Sequence, residues 1–242
     1  MKSARKNSQS IRRMVMMAMF TAMAYVTMFV VHIKVGFLTM DIKDAVITLC
    51  GLYFGPISAL VISILVPVLE LATSDTGVYG LIMNIIGSVA FSVTVALFYK
   101  WKKTLWGAIA GLASGALVMT AVMMLANLFI TPYYMGTTMA AVRELIPTLL
   151  LPFNLLKGVI NVGVVLLFYK PLSRALHKIG VLSSPQKMEV ETAESDENSP
   201  RLATKSRFSL RSVLVTVAAV LLIAASLVLI FTVLGGKFTF GL

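Results

Sequence analysis

Asn154, Lys157 and Asn161 stand inside an apolar run that spans residues 148–170. Their spacing, i, i+3 and i+7, lines up one side of a helix. An ammonium group in hydrocarbon costs about 2.5–3.5 kcal/mol on insertion scales, so it normally faces a cavity or a partner. A Lys donates hydrogen bonds only, whereas an Asn amide both donates and accepts. A membrane protein with one polar stripe pointing inward usually binds or moves something. The competing reading is structural: Lys157 snorkels, or pairs with Asp41 or Glu70.

Further polar groups fall at the ends of other apolar runs. The stretch FLTMDIKD, residues 37–44, reads as an outer loop of extended backbone that offers Thr39 and Asp41 to a pocket, or else as a solvated connector. Asp41 and Asp44 also precede a short helix, where carboxylates favour the amino-terminal end. Glu70 and Asp75 flank the next turn, either at the interface or entering a cavity. Asn84 and Asn127 are amides within spans, and such amides bind a ligand or join helices. Thr131-Pro132 is expected to end a helix, with Tyr133 and Tyr134 in an interfacial aromatic belt. Pro152 suits the first turn of the helix that carries Asn154 and Lys157.

Composition sets the class. The chain is 58% hydrophobic, only 13% charged, and has a mean hydropathy of +0.91. These values exclude an ordinary soluble domain and indicate an all-α integral membrane protein. The single cysteine, Cys50, lies in an apolar run and offers neither a disulfide nor a metal site. His32 and His177 are too far apart to suggest one either. The net charge of +11 does not point to nucleic acid. Its Lys and Arg flank apolar spans, as in Arg12–Arg13, Lys100–Lys103 and Lys170–Lys178, which is the pattern of cytoplasmic loops in a lipid bilayer. No phosphate-binding loop, H-E-x-x-H or G-x-S-x-G motif occurs, so an enzyme is not expected.

Five spans are read at 14–33, 78–99, 105–131, 148–170 and 212–234. Between them, 42–71 holds Gly55-Pro56, a strong turn signal. Only two crossings here keep all three basic clusters on one side, so two short helices are expected, 42–54 and 57–72. That places the amino terminus in the cytoplasm and the carboxyl terminus outside. Residues 1–182 then form a six-helix membrane domain. Residues 183–209 read as a flexible cytoplasmic linker, and 210–242 as an appended seventh helix. Ala18 and Ala22 make a small-xxx-small face on the first helix, which permits close approach of another helix.

The motifs AMFTA, FLTMDIKDA, LYFGP, GLIMN, NLFITPYYMG and LPFNLLKG, in this order, resemble the riboflavin-specific substrate-binding (S) components of energy-coupling factor (ECF) transporters. The resemblance spans about residues 10–178. It implies a bacterial cell-membrane protein with a six-helix S-component bundle that captures riboflavin from outside. It also implies partners: an ECF module of one membrane-coupling protein and two ATPases, which would hydrolyse the ATP. Carried over by position, the flavin contacts fall on Leu38, Thr39, Asn127, Asn154 and Lys157, and the face that meets the coupling protein falls on Ala18 and Ala22. Phe37, Met40 and Phe153 are candidate walls for the ring system. Riboflavin would be cargo, and no cofactor is expected.

Other readings of the residues are an S component for another vitamin or flavin precursor, a structural membrane protein, and a proton-coupled carrier. The linker and seventh helix depart from the six-helix pattern. Since every expected contact precedes Gly158, removal of the chain after about residue 182 is expected to leave the site in place.

Overall fold

A computed structural model of the chain describes residues 2–74, 76–179 and 210–238. The linker expected at 183–209 and Asp75 lie outside the described residues. The fold is helical: α1 Lys2–Val30, α2 Lys43–Phe54, α3 Pro56–Glu70, α4 Gly77–Trp101, α5 Leu105–Met135, α6 Met139–Leu145, α7 Leu151–Lys178 and α8 Leu210–Thr232. Among the described residues, five helical stretches are long and apolar enough to cross a membrane. Their outer faces carry large apolar side chains, such as Met14, Met19, Leu117, Phe129 and Leu221, as lipid-facing helices do.

The break expected at Gly55-Pro56 is present. Gly55 has φ 92, a left-handed conformation that a side chain would strain, and Pro56 opens α3. At about 1.5 Å per residue, α2 and α3 are roughly 18 and 22 Å long, too short to cross alone without tilting or sinking into protein. Helix α2 does the latter. Its residues from Lys43 to Leu52 are all buried, enclosed by α1, α3, α4 and α7. Arg13 of α1 reaches the break, donating to the Phe54 carbonyl at 2.8 Å and to Ser58 Oγ at 2.7 Å.

The loop expected at 37–44 is more ordered than the sequence implied. Strands β1 Ile33–Val35 and β2 Leu38–Met40 form an antiparallel hairpin, with Gly36 at φ 58 in the two-residue turn. Such a turn needs a positive φ that glycine supplies freely.

Two expected boundaries are corrected. Helix α5 does not stop at Thr131-Pro132 but runs to Met135, where the Gly136 N–H bonds to the Pro132 carbonyl. A proline in the last turn removes a single ladder hydrogen bond, and the cap offsets that loss. The apolar run expected to begin at 148 is helical from Met139, through α6 and a π-helical turn, Ile146–Leu150, into α7. Pro147 and Pro152 lack the N–H groups a regular ladder requires, and the wider π turn accommodates them. Asn154 therefore follows a π turn and is not at a free helix end.

The seventh helix expected within 210–242 is present as α8. Helix α8 lies along α7, and a Cβ at Gly163 would meet Ile223 Cγ1 at 2.6 Å and the Ala219 carbonyl at 3.2 Å. Beyond α8, strand β3, Lys237–Phe238, pairs with β1 and completes a three-stranded sheet in the order β2-β1-β3.

Candidate functional site

The hairpin end of the bundle holds a cavity of about 600 Å³, within the range of about 300–1,000 Å³ usual for small-molecule sites. The hairpin contributes Lys34, Phe37, Leu38 and Thr39; α4 contributes Tyr79, Met83, Asn84 and Ser88; α5 contributes Met119, Met123, Asn127 and Thr131; α7 contributes Phe153, Asn154 and Lys157. The turn between α3 and α4 adds Thr73, Ser74 and Thr76. The lining thus mixes apolar and aromatic surface with a few polar groups from distant parts of the chain.

Along one wall, which Asp44, Glu70 and Lys157 line, runs a chain of charges with Asp41 and Lys43 buried behind it. Lys157 Nζ lies 3.2 Å from Asp41 Oδ2 and 3.7 Å from Asp44 Oδ2. Lys43 Nζ lies 3.5 Å from Asp41 Oδ2 and also pairs with Glu70. Ser88 donates to Asp44 Oδ1. The Lys43 backbone N–H reaches Asp41 Oδ1 at 3.2 Å. Burial on its own would raise the Asp41 pKa. The ammonium groups of Lys157 and Lys43 outweigh that effect and hold the carboxyl below the usual carboxylate range. Three carboxylates and two ammonium groups thus occupy one buried row, and each ion has an opposite partner, as buried charge requires.

The expected ligand-binding residues divide into those that line the cavity and one that does not. Leu38, Thr39, Asn84, Asn127, Asn154 and Lys157 all line the cavity. Asn154 Nδ2 donates to the Leu150 carbonyl at 2.8 Å, which fixes the amide in its helix. Asn127 donates to the Met123 carbonyl at 2.7 Å and accepts from Thr131 at 2.9 Å. Asp41 does not reach the cavity. It is buried behind the wall, where Lys43 and Lys157 draw it inward, so its part is to hold Lys157. Met40 is likewise packed in the core, because strand alternation turns it away from the side of Thr39.

Asn161 shares the helical face of Lys157 but does a different job. Its Oδ1 accepts from the Ala45 N–H at 2.9 Å, satisfying a donor at the amino-terminal end of α2. Ile42, at the capping position, has no side-chain oxygen to do so. Sequence reasoning passed over Lys43 and left Asp44 out of the site residues, although Asp44 too lines the cavity. A lysine between two aspartates, ahead of a wholly apolar helix, was the available signal. Glu70, left between interface and cavity, lines the cavity and binds Lys43. Ala18 and Ala22 lie on the exposed side of α1, away from the core face of Met16, Phe20 and Ala24.

A family model for ECF transporters, substrate-specific component, matches residues 12–169. The chain belongs to this family: it is a substrate-binding membrane subunit of an ECF-type transporter, not an enzyme. It is 27% identical over 182 residues to the riboflavin transporter RibU of Staphylococcus aureus (strain TCH60), a match that covers 72% of this chain and 96% of that protein. A solved structure, the S component of a bacterial ECF transporter, superposes with a TM-score of 0.60 at 26% identity, covering 69% of this chain and 98% of its own.

Proposed function

We propose that the cavity binds riboflavin, and that the chain captures it outside a bacterial cell and delivers it inward when coupled to an ATP-hydrolysing module. One observation carries this reading: Lys157 and Asn154 line the same cavity, one helical turn apart, with Lys157 set in place by two buried carboxylates. The isoalloxazine edge of riboflavin presents an imide N–H between two carbonyls. An ammonium group donates to a ring carbonyl, and an Asn amide accepts from the imide while donating to its neighbour. Phe37, Phe153 and Met119 supply apolar surface for the ring faces. Leu38 and Thr39 approach from the hairpin, and Asn84 and Asn127 from the opposite helices. The name of the Staphylococcus aureus relative supports the choice of vitamin.

On this reading riboflavin is cargo and no resident cofactor takes part. The basic amino-terminal segment lies in the cytoplasm, and the hairpin end faces outside. The exposed Ala18–Ala22 face docks on a membrane-coupling protein, and two ATPases beneath it drive release. The experiment is a titration of purified, detergent-solubilised protein with riboflavin, read by flavin fluorescence. Saturable quenching at one site per chain is expected. No quenching, with binding of a different vitamin instead, would reassign the substrate.

A further inference from the structure

We infer that the carboxyl-terminal strand β3, which lies beyond the residues matched by the family model, is a positioning element for the hairpin that grips the ligand. The inference rests on the riboflavin reading for its ligand and on the fold for everything else. Strand β1 sits at the centre of the sheet, with β2 on one side and β3 on the other. Lys34 stands opposite Thr39 on β2 and opposite Lys237 on β3, so the strand that carries the cavity residues Leu38 and Thr39 is registered through β1 to the tail. A two-stranded hairpin is marginally stable alone, and a third strand adds the pairing it lacks.

The opposed pair Lys34 and Lys237 does not attract, since like charges directly across a sheet repel. What holds β3 lies behind it. A Cβ at Gly236 would stand 2.7 Å from Ile230 Cγ2 and 3.2 Å from Ile33 Cγ2, so the backbone at 236 is packed between α8 and β1. The Gly236 N–H bonds to the Ile230 carbonyl at 3.0 Å. Ile230 and Ile33 are both buried. Helix α8 is in turn seated on α7, the helix that bears Asn154 and Lys157. The tail therefore ties one element of the site, a short hairpin, to another, the long helix α7. Without β3 the hairpin keeps its covalent ends and its turn but loses its lateral reference to α7.

Three forms of the full protein test this: the wild type, a chain ending after Leu234, and a Lys34→Cys, Lys237→Cys protein compared in oxidised and reduced states. The truncated protein is expected to release riboflavin faster by about tenfold, with a smaller change in association, because affinity differences within one site fall mostly on dissociation. The oxidised double-cysteine protein is expected to release it more slowly than the same protein after reduction. Amide exchange of Ile33–Met40 without ligand should quicken on truncation, whichever vitamin the cavity takes. Unchanged exchange in the hairpin, or equal release from truncated and intact protein, would overturn the inference. Failure of the intact protein to bind riboflavin would instead overturn the ligand assignment, and the exchange result would then decide the role of β3 alone.

Discussion

Lys157 Nζ and Asp41 Oδ2 meet at 3.2 Å although 116 positions separate them in the chain. This contact joins the end of the hairpin to the second turn of α7, and both elements line the cavity. It also explains how an ammonium group is tolerated within an apolar helix. Asp41 and Asp44 together neutralise it, and the burial of Asp41 shields the pair from screening by water.

Lys157→Ala and Asn154→Ala are each expected to weaken riboflavin binding by about 1–3 kcal/mol, the usual cost of losing a hydrogen bond and leaving its partner unpaired. The two substitutions differ in what else they disturb. Lys157→Ala also strips the cation from two buried carboxylates, so the protein should be less stable as well. Asn154→Ala gives up only a bond to the Leu150 carbonyl. Titration of both, after a check of folding by size exclusion, is the measurement. Wild-type affinity in both would remove these residues from the site.

Lys43 is wholly buried between Asp41 and Glu70. Its replacement by Met keeps the length of the side chain and removes the charge. Breaking a buried pair on one side costs about 3–5 kcal/mol, because the partner is left uncompensated. Lys43→Met should therefore lower the thermal unfolding midpoint of the solubilised protein markedly. A midpoint within error of the wild type would mean that the two carboxylates find other partners.

Asn161→Ala separates stability from binding. The substitution removes the side-chain acceptor for the Ala45 N–H at the start of α2, leaving that N–H only the Ile42 carbonyl at 3.2 Å. Loss of a cap costs about 0.5–2 kcal/mol, and a buried one falls towards the upper end. Asn161 is not part of the cavity lining, so riboflavin affinity should stay within a factor of two or so of the wild type once the protein is folded. A large loss of affinity with unchanged stability would move Asn161 into the site.

How far the sequence foretold this molecule depended on the range of the interactions involved. The pair of short helices around Gly55-Pro56 was legible, because the break is local and charge parity required two crossings. The cavity residues Asn84, Asn127, Asn154 and Lys157 were legible as polar groups in apolar runs, where each must have a reason. What escaped was pairing at a distance. Asp41 was read both as a ligand contact and as a partner for Lys157; what no local pattern showed is that Lys43 joins that pair and binds Glu70 as well. Asn161 and Lys157 share a helix face, yet Asn161 bonds to the start of α2 and is not among the cavity lining. The helix end expected at Pro132 failed because a proline near the last turn is a weak terminator when a glycine cap follows four residues later. The strand that follows the seventh helix escaped for a related reason. Strand β3 is two residues long and its partner lies some two hundred positions earlier, so no local pattern announces it.

The last prediction separates binding from transport. Ala18 and Ala22 are exposed on α1, one turn apart, among lipid-facing Met14, Val15, Met19 and Met23. Small side chains at i and i+4 let a second helix approach closely in a membrane. Neither residue lines the cavity, and both face away from the core of the bundle. Ala18→Trp or Ala22→Trp adds a large ring to that face without touching the hairpin, α7 or the ion row. The isolated variants should bind riboflavin as the wild type does. Vitamin uptake by cells that depend on this subunit should nevertheless fall at least about tenfold, since blocked docking amounts to the loss of a closely packed contact worth about 1.4 kcal/mol or more. Uptake that survives both substitutions would place the docking surface on another helix. Loss of binding in the isolated variants would mean that α1 shapes the cavity through its packing on α2 and α3.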